Sequence, residues 1–202
     1  MKTVMILLIA LIFFSSCESD DPPATLDVNS FQISGNTYNT GHGYLLLDDG
    51  PNFTNGFGLG FLNGIMIDDN INGASIETTT THGVALWVDL STTPSISEQD
   101  VTNQIISNTT YNLNEETTAI INITNYTNTH TYNGSTYGEP DEPGATTYET
   151  GATGNGTVTI NSFSVNLTSR TGTIDCTYAF MDNNGVNITG NYMGSFDIIN
   201  EF

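Results

Sequence analysis

Positive charge is almost missing from this sequence: two of its 202 residues are Lys or Arg, against 22 Asp and Glu. The two bases are Lys2 and Arg170. Nucleic-acid binding needs clusters of Lys and Arg to neutralise phosphates, so that partner class is excluded. Anionic headgroups are repelled for the same reason. No glycine-rich phosphate loop with a lysine occurs, and no Gly-x-Ser-x-Gly nucleophile elbow. Cysteine is equally scarce, with only Cys17 and Cys176. Only one long apolar run exists, from Val4 to Phe14, and it falls short of the ~20 residues that span a bilayer.

What is present begins with an address. Met1-Lys2-Thr3, the apolar run and Ser15-Ser16 have the layout of a secretory signal. Acid follows (Glu18, Asp20, Asp21) where a spanning helix would carry Lys or Arg. Phe14-Ser15-Ser16-Cys17 resembles the bacterial lipobox, with Phe in place of the usual Leu. On this reading residues 1–16 are removed and Cys17 becomes the lipid-bearing first residue. Acyl chains contributing about 0.8 kcal/mol per buried methylene would hold it to a membrane. Glu18-Ser19-Asp20-Asp21 resembles the acidic tag of Bacteroidota lipoproteins moved to the outer leaflet, and Pro22-Pro23 stiffens the tether, residues 17–26.

Removing residues 1–16 from 202 leaves 186, enough for one domain, assigned to residues 27–202. Lys2 departs with the signal, so 22 acids face Arg170 alone and the formal charge becomes −21. With Cys17 lipidated, no internal disulfide can form. Cys176 alternates with Ile174 and Tyr178, the setting of a small buried apolar residue and not of a catalytic thiol, which needs a nearby base.

The body is rich in Thr, Asn, Gly and Tyr, a strand-and-turn composition. Val84, Leu86, Val88 and Leu90 alternate with Ala85, Trp87 and Asp89. Ile174, Cys176, Tyr178 and Phe180 repeat the period, as do Val186, Ile188, Tyr192 and Phe196. Val158 and Ile160 are out of phase with Phe163, Val165 and Leu167, which calls for a bulge near Ser162. Further strands are expected over Ser30–Ser34, Tyr44–Leu47, Phe57–Ile67 and Ala119–Tyr126. Residues 157–198 read as a three-stranded antiparallel meander, with Asn184 and Gly185 forming a two-residue type I′ turn. One short helix is expected within Pro94–Ile106, capped by Ser95 with Glu98. Residues 127–155 read as a long polar loop, removable without unfolding the domain. The expected fold is all-β: a single antiparallel β-sandwich, or a flattened lipocalin-like barrel, with at most one short helix.

Candidate sites are few. Tyr126, Tyr132, Tyr137 and Tyr148 decorate the long polar segment and could stack on sugar rings, or simply pin the segment to a sheet; Trp87 joins them as an outward aromatic. Asp68-Asp69-Asn70-Ile71-Asn72-Gly73 matches the first six positions of a calcium loop, making Asp68, Asn70 and Asn72 candidate ligands. Thr79 then stands where the bidentate Glu belongs, and a polar turn accounts for the same residues. No cofactor other than calcium is implied. His42, His82 and His130 are far apart and read as loop residues. Phe57, Leu59 and Phe61 alternate with Gly56, Gly58 and Gly60, leaving one strand face bare for a close neighbour.

Phe31-Gln32-Ile33-Ser34-Gly35-Asn36-Thr37-Tyr38, Gly43-Tyr44 and Asp48-Asp49-Gly50 resemble the opening of small flavobacterial-type Bacteroidota surface lipoproteins of unknown function. His82–Leu90, Gly156–Ile160 and Ile188–Phe196 are similar to their central strand and closing hairpins. The resemblance implies an outer-membrane, surface-exposed, all-β lipoprotein and carries no catalytic residue. The expected function is a lipid-anchored, non-catalytic binding or structural module, attached to the membrane through Cys17, with a glycan or envelope-protein partner. The alternative is a polysaccharide hydrolase using a carboxylate pair.

Overall fold

The computed structural model describes residues 29–48, 56–68, 74–90, 97–151 and 155–201. The signal, Cys17 and the acidic tether lie outside them. The architecture is all-β, as the composition implies, with strand over 65% of the described residues and helix over 5%.

The strands, in chain order, are β1 (Ser30–Ile33), β2 (Asn36–Asn39), β3 (His42–Asp48), β4 (Gly56–Leu62), β5 (Met66–Asp68), β6 (Ala74–Glu77) and β7 (Gly83–Asp89). A five-residue helix, α1 (Glu98–Thr102), follows. Then come β8 (Thr109–Asn112), β9 (Thr118–Ile121), β10 (Tyr126–Tyr132), β11 (Ser135–Pro140), β12 (Thr146–Glu149), β13 (Asn155–Asn166), β14 (Thr171–Met181) and β15 (Asn187–Glu201).

Two sheets form. The larger runs β12-β9-β7-β4-β3-β15-β14-β13-β8, with β1 also on β15 and β2 on β1; the smaller runs β10-β11-β6-β5. The central strand β15 is long enough to hold two partners on one edge. Its first half pairs β1 antiparallel, Ile33 opposite Ile188, and its second half pairs β3 in parallel, Gly43 opposite Phe196. The large sheet curls. Its two ends meet where the Thr150 hydroxyl, just past β12, donates to the Asn114 carbonyl, just past β8, at 2.8 Å. The Asn114 amide donates in turn to the Trp87 carbonyl at 2.9 Å.

Period-two alternation places the core inside this curl. Leu45 and Leu47, Phe57, Leu59 and Phe61, Val84, Leu86 and Val88 all bury inward, facing Val158, Ile160, Ile174, Cys176, Tyr178, Phe180 and Ile188. Each such side chain contributes roughly 1.5–3 kcal/mol on burial. Phe61 stacks between Tyr178 and Tyr192, with centroids at 5.8 and 4.5 Å. The phase slip in β13 is a bulge between Ile160 and Ser162, which returns Phe163 and Val165 to the core side. On the outer face Tyr44, Leu46, Leu62 and Ile199 form a second core with Met66, Ala74, Ile76 and Trp87, so the small sheet packs there. The Tyr44 hydroxyl accepts from the Met66 amide at 2.8 Å and ties the sheets together.

Several expectations are corrected. Phe57–Ile67 is not one strand: Asn63 and Gly64 turn the chain out of β4 into β5, in the other sheet. Ala119–Tyr126 likewise breaks between β9 and β10. The helix cap is Ser97, whose hydroxyl accepts from the Asp100 amide at 3.2 Å; Ser95 lies outside the described residues. Residues 127–155 are not a loop, because β10 and β11 form a hairpin on β6 and β12 extends the large sheet at β9.

The turns trade places too. At Asn184-Gly185 only the glycine has positive φ, +81°, and the Gly185 amide donates to the Asp182 carbonyl at 3.1 Å. With Asp182 also donating to the Val186 carbonyl at 2.9 Å, this is a three-residue loop ending in a left-handed glycine, not type I′. The type I′ signature falls at Asn133 (φ 47°) and Gly134 (φ 90°), between paired Tyr132 and Ser135.

Candidate functional site

The β10 sequence alternates Thr127, Thr129 and Thr131 with Tyr126, Asn128, His130 and Tyr132. β-branched and aromatic residues favour extended chain, and Asn133-Gly134 reverses it. Two β10 residues, Asn128 and Thr129, oppose the single Gly138, giving a bulge with Asn128 at φ 50°. The Thr127 carbonyl oxygen then lies 2.6 Å from where a Gly138 Cβ would stand, so only glycine fits.

Past the bulge, His130 pairs with Tyr137 and Tyr132 with Ser135. Alternation puts His130, Tyr132 and Tyr137 on one face. Tyr137 is buried, whereas Tyr132 is 43% exposed. Their rings meet edge to face at 6.5 Å, and the His130 ring lies 6.2 Å from Tyr137. The buried tyrosine therefore fixes the exposed one, leaving an exposed aromatic ring beside the Ser135 hydroxyl on the same face, with the His130 ring nitrogens buried beneath.

The other sequence candidates do not converge on it. The Tyr126 hydroxyl donates to the Thr80 carbonyl, and burial raises its pKa, so Tyr126 pins the hairpin. Tyr148 packs against the main core from β12. Trp87 spans the bare face of β4, its ring within 2.8 Å of where a Gly58 Cβ would stand. Asp68 ends β5, opposite Ala74, while Asn70 and Asn72 lie outside the described residues. Among the described residues no group of three His, Cys, Asp or Glu is arranged to hold a metal ion. Sequence reading treats His130 as a loop residue; its period-two spacing from Tyr132 is the signal that joins the two.

The remaining reactive groups have structural work. His82 Nε2 donates to the Asn39 carbonyl at 2.9 Å, and Nδ1 lies 2.9 Å from the Thr81 hydroxyl. Burial pushes the Cys176 thiol up to about 12, which leaves it inert. A shallow groove of about 540 Å3 across the β8–β13–β14–β15 face is lined by Asn112, Thr157, Met181 and Asn187 among others, and by no carboxylate. No family model, curated protein or solved structure matches the chain.

Proposed function

We propose that the protein is a non-catalytic glycan-binding module, lipid-anchored at Cys17 and displayed at the surface of the outer membrane. The observation that carries the binding reading is Tyr132, exposed yet held edge to face by buried Tyr137 beside His130. An immobilised aromatic ring offers a sugar an apolar face at little entropic cost, and the adjoining Ser135 hydroxyl supplies a hydrogen bond. The acidic surface disfavours anionic polymers, so the reading specifies a neutral glycan. The anchor rests on the Ser15-Ser16-Cys17 signal.

Affinity electrophoresis through gels of neutral polysaccharides tests the site. Tyr132→Ala is expected to weaken retention about tenfold, equivalent to ~1.4 kcal/mol, with an unchanged melting temperature. Retention equal to wild type on every retarding polymer would overturn it. Fatty-acid labelling tests the anchor: Cys17→Ala should abolish the label, and equal labelling would refute lipidation.

A further inference from the structure

The chain holds six Asn-Gly pairs, at 55–56, 63–64, 72–73, 133–134, 155–156 and 184–185. Such pairs are chemically labile, because an unhindered glycine amide nitrogen can attack the preceding side-chain amide. Four pairs lie wholly within the described residues. We propose that the fold singles out Asn133 among these four as a site of spontaneous deamidation and isomerisation, at the tip of the β10–β11 hairpin.

Three of the four are restrained. Asn63 Oδ1 accepts from the Thr81 and His82 amides, each at 3.0 Å, and its Nδ2 donates to the Thr81 hydroxyl at 3.1 Å. At Asn184 the attacking nitrogen is engaged, since the Gly185 amide donates to the Asp182 carbonyl at 3.1 Å, while Asn184 Nδ2 donates to Asp182 Oδ2 at 3.3 Å. Asn155 and Gly156 lie within the β13 ladder, opposite Met181 and Phe180. Asn133 and Gly134 carry none of these restraints. Both are exposed, both have positive φ, and nothing lies within 4 Å of the Gly134 Cβ position. The two central residues of a two-residue hairpin loop sit outside the ladder, so no strand pairing holds the Gly134 nitrogen.

The chemistry balances with water as the only co-reactant. The Gly134 nitrogen bonds to Asn133 Cγ, the Cγ–Nδ2 bond breaks, and ammonia leaves with the proton from the Gly134 amide. Water then opens the cyclic imide at either carbonyl, giving aspartate or isoaspartate. Aspartate keeps the turn, since Asp-Gly also suits type I′. Isoaspartate adds a backbone carbon inside the loop, disturbing the Tyr132–Ser135 register and with it the edge-to-face contact on Tyr137. The modification stands apart from the glycan reading; only its effect on binding rests on that reading.

Peptide mass mapping of the full chain, held in mildly alkaline buffer, tests the inference. Chymotrypsin is the suitable protease, because the chain has almost no tryptic sites. In the native protein Asn133 should convert several-fold faster than Asn63, Asn155 or Asn184; in denaturant the four rates should come together. Conversion at Asn133 no faster than at the other three in the native state would overturn the proposal, as would an equal advantage in the unfolded chain. Gel retention of the aged protein is scored separately, so a failed glycan reading leaves the modification result intact.

Discussion

The Trp87 ring covers Gly58 so closely that a Cβ there would stand 2.8 Å from the indole and 2.9 Å from Leu46 Cβ. Gly58 pairs with Trp87 on one side and Leu46 on the other, so the bare face of β4 is a seat for side chains of its own neighbours. Leu46 Cβ is fixed to its backbone and cannot give way. Gly58→Ala is therefore expected to cost about 1–3 kcal/mol through overpacking. Thermal melts check this, and an unchanged midpoint would mean that the ring lies elsewhere.

The β14–β15 turn depends on one residue. Gly185 alone carries positive φ there, and a β-branched side chain strongly resists that conformation. Gly185→Val should cost on the order of 1–3 kcal/mol, and Gly185→Asn much less, since Asn tolerates left-handed backbone. Denaturant titration of both variants separates backbone strain from lost space, because the Gly185 Cβ position is open.

Gly138→Ala should loosen the β10–β11 hairpin and spare the main core, to which no β10 or β11 residue belongs. The expected result is faster proteolysis near Asn133 and weaker glycan retention, with only a small fall in melting temperature. Deleting Thr127 to Gly154 should instead destabilise the whole domain, since it also removes β12, the core-packed Tyr148 and the Thr150 link that joins the ends of the large sheet. A deletion variant melting like wild type would contradict this.

Alkaline pH should unfold the domain through its buried acids. Burial raises Cys176 from 9.0 to about 12 and Tyr44 from 10.0 to about 12, and lifts Tyr178 well above its usual value. A raised pKa means that the unfolded chain loses the proton first. The stabilising contribution is complete below the unfolded values and falls as pH climbs from about 9 towards 12. Cys176→Ala should remove the earliest part of that decline, which pH-dependent denaturant melts would detect; an identical profile would show that Cys176 takes no part.

The meander is legible in sequence because one of its faces is buried, which forces apolar residues into alternation at Ile174, Cys176, Tyr178 and Phe180. The β13 bulge is legible as a break in that phase. The β10–β11 hairpin hides because Thr127, Thr129 and Thr131 alternate with aromatic and amide groups and not with aliphatics. Its period is present, but its polarity is that of a loop. Tyr132 is nameable as a candidate, whereas its support by Tyr137 and its grouping with His130 require the register. The sharing of β15 between β1 and β3 leaves no local mark, since it joins segments at opposite ends of the chain.

That sharing has a kinetic consequence. β1 and β3 meet their principal partner only when the last strand arrives, more than a hundred residues later. Loop closure over such a span must precede the contacts that reward it, so folding is slow and the large sheet cannot be completed before β15 has joined it.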